Sequence, residues 1–453
     1  MIPTLLTAAM TIALLSSATD HGPQVRRLMQ PIIDAGLVPS LVVGICQNGE
    51  SYVYGLGEIS EANPVAPDGK TLFEVGSISK VFTGVLLADA VDRGTVKLDD
   101  PLSKYFPDGV KAPQRDEKEV LLWHLSTHTS GLPRIPDNMK DVASDNPYKS
   151  YDAKRLWEFM GRAELATEPG TTYAYSNLGA GLLGTILADA SKSTYEKLLK
   201  DRITKPLGMT NTAVSLTRKQ KKALATPHAG GRAVSVWDFD ALVGCGGIRS
   251  NVDDMLKFIK ATLSQGGNPV ERAITRSTER KFDLPNAPAG IGLGWHIAQD
   301  GSTLWHNGQT GGYHSAMFIS KGFNLGVVVL SNGDASSIDE GAQKILQSLL
   351  GMNVAPPHVR KGIDVAPEKL DRLVGVYPSE RGFTITVTRD GDALMAQLTG
   401  QPAYRVWAVS PTFFFYRVVA ADLEFEIDEK TNRASSVMLL QNGQKMLCRR
   451  KDP

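Results

Sequence analysis

Apolar residues recur at helical spacing from Val25 to Ala35, where Pro31 predicts a kink, and then the period changes. Leu41 to Cys46 and Ser51 to Tyr54 are β-rich runs joined through Asn48-Gly49, a tight hairpin signal. A buried helix follows, opening into Val81 and carrying Val85, Leu86, Ala88 and Ala90, with Gly94 and the Asp99-Asp100-Pro101 cluster as its stop. From there to about Gly290 the pattern is helical pieces between Gly/Pro loops, with helices over Ala153 to Gly161, Leu178 to Ala190 and Val252 to Leu263. The β signal then returns. Thr303 to Asn307, His314 to Ser320 and Leu325 to Leu330 read as strands turned by Gly311-Gly312 and Gly322, and Ile338 to Leu350 closes the region as a helix. Strands at both ends with helices between predict an α+β fold: one antiparallel sheet flanked by helices, beside an inserted all-helical subdomain.

Beyond Met352 the character changes. The stretch to Glu368 holds Pro356, Pro357 and Pro367 with little apolar period and reads as a linker. Phe383 to Thr388 then alternates strictly, Asp390-Gly391 turns, Leu394 to Leu398 alternates again, and Asn442-Gly443 splits two more strands. Short strands to Cys448 predict a small antiparallel barrel of lipocalin-like type. The expected division is a signal peptide at 1–19, a catalytic domain at 20–352, a linker at 353–368 and the barrel at 369–453.

With 453 residues, 42% of them hydrophobic, the chain can bury more than one core, and a net charge of +1 gives no case for nucleic acid or an anionic membrane as partner. Thr4 to Ser17 is apolar but short, and Ser16-Ser17-Ala18 offers small residues for cleavage, so the chain is expected to be secreted or periplasmic. Cys46, Cys245 and Cys448 are odd in number and far apart, as buried thiols are rather than a disulfide framework.

Three clusters can carry chemistry. Ser77 and Lys80 stand three residues apart at the opening of the buried helix, so a hydroxyl and an amine share one face, where the helix dipole favours developing negative charge. Tyr175-Ser176-Asn177 precedes another apolar helix. A phenol accepts a proton at neutral pH only beside a cation, which Lys80 can supply, and Asn177 can both donate to and accept from a substrate. His306-Asn307-Gly308-Gln309 lies on a strand whose glycine marks close approach of another backbone or a ligand, with His306 placed to hold a carboxylate or relay a proton. A second His-x-Gly, His228-Ala229-Gly230, sits in a Gly-rich loop without strand signal. His124 and His128 have the spacing of a zinc pair, but Leu125 stands where a metalloprotease has glutamate, and structural histidines are the expectation. No metal or organic cofactor is called for, and no phosphate-binding loop is present.

Together these motifs resemble the serine β-lactamase and penicillin-binding-protein superfamily. Phe73-Glu74-Val75-Gly76-Ser77-Ile78-Ser79-Lys80 is similar to the active-site signature of class C β-lactamases, and Tyr175-Ser176-Asn177 to their Tyr-x-Asn element. His128 to Leu132, Glu168 to Gly170 and Gly246 to Met255 add to the likeness, which covers residues 22 to 350. The resemblance implies that Ser77 attacks a carbonyl to form an acyl-enzyme and that Lys80 and Tyr175 share the base work. It further implies that the N–H groups of Ser77 and Gln309 form an oxyanion hole and that Asn177, His306 and Gly308 border the substrate. The implied substrate is a β-lactam or D-Ala-type peptide. A family VIII-type ester or a D-aminopeptidase substrate is the alternative within the class, and a non-catalytic scaffold the alternative outside it. Class C enzymes carry Lys-Thr-Gly where this chain has His306-Asn307-Gly308. The barrel is not part of a typical class C enzyme. It resembles accessory domains of DD-peptidase-like members, and would either cap the cleft or mediate self-association.

Overall fold

The computed structural model describes residues 20–60, 64–139, 145–264, 266–285, 289–441 and 443–451. The apolar stretch Thr4 to Ser17 therefore lies outside the described residues, as does Asn442 of the last hairpin signal.

The first sheet has eight antiparallel strands in the order Glu50–Gly57, Ser40–Gln47, Leu325–Ser331, His314–Ser320, Thr303–Gln309, His296–Ile297, Gly290–Ile291 and Phe282–Asp283. The N-terminal hairpin is thus stitched to the C-terminal strands, as strands at both ends of a helical insert require. Strand Ser40–Gln47 is a continuous apolar run because both of its faces are covered. Leu41, Val43 and Ile45 pack with Val25, Met29, Ile338 and Ile345, the buried faces of helices Gly22–Asp34 and Ser337–Leu349. Val42 and Cys46 belong to the other, larger core, with Phe82, Val85 and Phe258. That core also takes in helices Val252–Leu263 and Asn177–Ala190, so the helical insert and the sheet share one interior. At Gly44 a side chain would stand 2.5 Å from Val252, which is how close the helix lies on the sheet. Pro31 sits inside its helix, which continues to Asp34.

The second sheet also has eight antiparallel strands, each paired with the next in sequence from Gly375–Pro378 to Gln444–Arg449. A bridge between Ser379 and Cys448 and a bond from Lys451 N to Val376 O (2.8 Å) bring the last strand back to the first, nearly closing a barrel around Tyr377, Val387, Phe414, Leu423 and Val437. Between the two sheets the Pro-rich segment is held at several points: Arg27 donates to Val354 O (2.8 Å), Lys344 to Pro356 O (2.9 Å), and Ile363 N to Ala408 O of the barrel (2.9 Å).

One loop differs from expectation. His228–Ala229 and Arg232–Ala233 form a two-stranded hairpin rather than an irregular loop. Gly230 (φ +57°) and Gly231 (φ +82°) both adopt positive φ, the requirement of the tightest hairpin turn, so two residues of strand on each side suffice.

Candidate active site

A 3₁₀ turn, Gly76–Ile78, leads into the helix Ser79–Asp92, in which every residue from Ser79 to Ala90 is buried. Lys80 is 2% exposed, and its ammonium donates to Ser77 Oγ (3.0 Å) and to the Cys245 carbonyl (2.7 Å). A buried charge needs partners, and here they are two neutral oxygens rather than a carboxylate. The turn Val243–Cys245 that supplies one of them packs on the helix through Thr83, whose hydroxyl donates to Gly244 O (2.7 Å). Ser77 itself is half-buried.

Tyr175 comes to the same place from another segment. Its loop runs beside the stretch after His128, with Gly170 N bonded to Thr129 O (2.7 Å) and Ala174 N to His128 O (2.8 Å). The Lys80 ammonium lies 4.8 Å from the centre of the Tyr175 ring, the Arg134 guanidinium 5.1 Å from it, and the His128 ring 4.4 Å away. Ser176 caps the helix Asn177–Ala190 by accepting from Gly179 N, and the Arg134 carbonyl takes the N–H groups of Asn177 (2.9 Å) and Leu178 (3.1 Å), two donors that a helix start leaves open. Asn177 Nδ2 donates to the Tyr148 hydroxyl (2.9 Å), while its Oδ1 is buried without a partner.

Strand Thr303–Gln309 closes the site from the third side. A Cβ on Gly308 would stand 2.0 Å from Val75 O and 2.9 Å from Ser77 N, and one on Gly76 (φ +50°) would stand 2.6 Å from Gln309 N. Two glycines therefore let the strand and the serine turn touch backbone to backbone. Thr310 N donates to Tyr313 O across the hairpin, so by the alternation of an antiparallel ladder the N–H of Gln309 points away from strand His314–Ser320, toward the open edge. Ser315 Oγ fixes the contact by donating to Val75 O (2.9 Å).

His306 is 1% exposed; its Nδ1 meets Asn307 O (2.5 Å) and its Nε2 is buried without a partner. Burial, followed by His296 and the Lys80 charge, holds its proton affinity well below that of free imidazole. His296, stacked on Trp305 at 4.3 Å and 5.1 Å from the His306 ring, is pushed down to about 4 by burial and by Lys80. His128, in left-handed backbone (φ +61°), accepts from Ser176 N (3.2 Å) and is lowered by burial, then Lys80. His124 instead accepts Leu121 N at its own helix start (3.0 Å), so the two histidines spaced like a zinc pair are spent on separate backbone groups.

Ser77, Lys80, Tyr175, Asn177, His306, Gly308 and Gln309 are thus gathered from three segments around one point. Arg134 and His296 join them without having been singled out from the sequence. Arg134 follows the His128 to Leu132 motif within a few residues, a signal that was available; His296 lies on a two-residue strand with no pattern around it.

A family model described as Beta-lactamase matches residues 25–350, and a second, described as Domain of unknown function (DUF3471), matches 359–446. The D-alanyl-D-alanine-carboxypeptidase/endopeptidase AmpH of Escherichia coli (strain K12) is 32% identical over 290 residues, 60% of this chain and 74% of that protein. A beta-lactamase of the same strain is 28% identical over 360 residues, 70% of this chain and 91% of that protein. Among solved structures, a beta-lactamase/D-alanine carboxypeptidase from Yersinia pestis superposes with a TM-score of 0.63 at 27% identity, covering 72% of this chain and 98% of that one. A class C beta-lactamase shares the fold with a TM-score of 0.65 at 24% identity, covering 73% of this chain and 97% of that one. With residues 25–350 matched by the family model and the same architecture in the solved structures, the chain belongs to the Beta-lactamase family.

Proposed function

We propose that the protein is an exported serine hydrolase that forms an acyl-enzyme at Ser77 on a β-lactam or a D-Ala-type peptide amide. The observation that carries the reading is the 3.0 Å contact between the buried Lys80 ammonium and Ser77 Oγ, with the centre of the Tyr175 ring 4.8 Å from the same ammonium. With the Lys80–Tyr175 pair in its ammonium–phenolate form, the Ser77 oxygen attacks the carbonyl carbon as its proton passes to the Tyr175 oxygen, and the pair returns that proton to the leaving nitrogen. The oxyanion is received by the N–H groups of Ser77 and Gln309, each worth about 3 to 4 kcal/mol in such sites. Water then attacks the ester carbon, its proton travels back through the same pair, and the acid leaves. The free Asn177 Oδ1 accepts the substrate's amide N–H along the open edge of the strand.

One role shifts. A neutral His306 brings no charge to a substrate carboxylate, whereas Arg134 is exposed beside Tyr175 and always charged, so Arg134 takes the carboxylate in this reading. Incubation with a fluorescent penicillin tests the proposal: a covalent adduct is expected from the wild-type chain and none from Ser77→Ala. Turnover of a chromogenic cephalosporin, a D-Ala-D-Ala peptide and a short-chain p-nitrophenyl ester on one preparation then ranks the substrates. The reading fails if no adduct forms and none of the three is hydrolysed.

A further inference from the structure

The barrel is docked against two loops that touch residues 309–312 at the end of the strand Thr303–Gln309. On its outer surface Trp407 has two guanidinium groups over its ring, those of Arg405 (4.0 Å) and Arg417 (3.5 Å). Arg405 donates to Gly230 O (3.2 Å), and a Cβ on Gly231 would stand 3.5 Å from the Trp407 ring, so the stack rests on the tip of hairpin His228–Ala233. Arg232 in that hairpin reaches Asp390 (2.6 Å) and Asp392 (3.3 Å) of the barrel. Arg417 donates to Gly36 O (2.8 Å), and its own carbonyl accepts from Ser336 N (3.2 Å), which fixes the loop after Asn332.

Both of these clamped pieces hold the turn beyond Gln309. His228 N lies between Gly312 O and Asn332 O, 3.1 Å from each. A Cβ on Gly312 would stand 2.6 Å from Pro227, so the hairpin presses on the turn with no space to spare. Gln309 Nε2 points to Asp334 O (3.4 Å), and Asp334 is buried, with burial pushing its carboxyl up to about 6.

We infer that the C-terminal barrel is a brace of the acylating site: Trp407, stacked with Arg405 and Arg417, holds hairpin 228–233 and loop 333–336 against residues 309–312 and so sets the position of the Gln309 N–H. The inference rests on the reading of Ser77 as the acylating serine. It makes Trp407 a positioning residue and gives the domain of unknown function a role in the catalytic rate. The docked barrel is the working state, not a lid that must open.

The test uses the full-length chain. Trp407→Ala is compared with Trp407→Phe, which keeps an aromatic face for both guanidinium groups. Trp407→Ala is expected to slow acylation by saturating fluorescent penicillin about ten- to a hundredfold, the range for a misplaced catalytic group, with the half-saturating concentration little changed. Amide hydrogen exchange at Gln309–Gly312 is expected to speed up in the same variant, and Trp407→Phe to recover most of both. A folded Trp407→Ala with unchanged acylation and unchanged exchange overturns the brace. If the wild-type chain forms no adduct at all, it is the acyl-enzyme reading that falls, and the exchange measurement alone decides the brace.

Discussion

At the scale of single residues the site is an arrangement of one enclosed positive charge and three rings that decline to share it. Lys80 sits among His128, His296 and His306, and its charge, after burial itself, is a cause of the lowered proton affinity of each. A histidine that stays neutral cannot titrate in the physiological range. These histidines are therefore expected to contribute no step near pH 6.5, the ordinary imidazole value, to the rate of acylation. A step there that disappears in His306→Asn would contradict this. The other residue-level consequence concerns Arg134. As the exposed cation at the Tyr175 ring it is expected to matter only for substrates with a carboxylate. Arg134→Gln is predicted to raise KM for a penicillin or a D-Ala-D-Ala peptide about fivefold, the worth of a solvent-exposed charge pair, and to leave a neutral p-nitrophenyl ester unaffected.

At the scale of elements, the serine turn is held by pieces too short to be stable alone. Phe73–Glu74 pairs with Arg249–Ser250, two residues against two, and the buried Glu74 lies 3.4 Å from the Arg249 guanidinium while also accepting from Trp237 N (2.8 Å). Burial outweighs these partners and pushes the Glu74 carboxyl from 4.5 to about 7. A carboxyl that binds its proton more tightly folded than unfolded adds stability below its unfolded value and loses it as pH rises through the folded one. Glu74 should thus make the fold less stable as pH rises from about 4.5 to about 7, with no further change above. Glu74→Gln is predicted to flatten that part of the curve in thermal melts across this window. Gly308 is the other device at this scale. A methyl group there meets Val75 O at 2.0 Å and Ser77 N at 2.9 Å, both backbone atoms of the turn, so strand and turn must part. Gly308→Ala is expected to cost about 1 to 3 kcal/mol of stability in denaturant titrations. It is also expected to slow acylation at least a hundredfold.

At the scale of the whole molecule, two sheets of unlike character are joined by a segment whose prolines promised free chain. That segment instead bonds to helix Gly22–Asp34 through Arg27, to helix Ser337–Leu349 through Lys344, and to the barrel through Ile363 and the Arg360–Asp422 pair. Limited proteolysis of the native chain is accordingly predicted to spare residues 353–368, and early release of an intact barrel would count against it. Much of the architecture was legible beforehand because it depends on local period. The alternation at Phe383 to Thr388, the apolar run at Leu41 to Cys46 and the helix at Val252 to Leu263 each state their own element, and Ser-x-x-Lys places a hydroxyl and an amine on one face. What no local pattern contains is which segments meet. That Cys245 offers its carbonyl to Lys80, that Arg134 shelters the start of the Asn177 helix, that His306 is walled in with its proton affinity lowered, and that the barrel rests on the hairpin at Gly230 are all matters of packing between parts far apart in sequence. The sequence by itself settled the elements and the chemical groups, since period and side-chain type are properties of short stretches; only the tertiary structure decided protonation and position, since both depend on burial and on neighbours that the fold alone brings near.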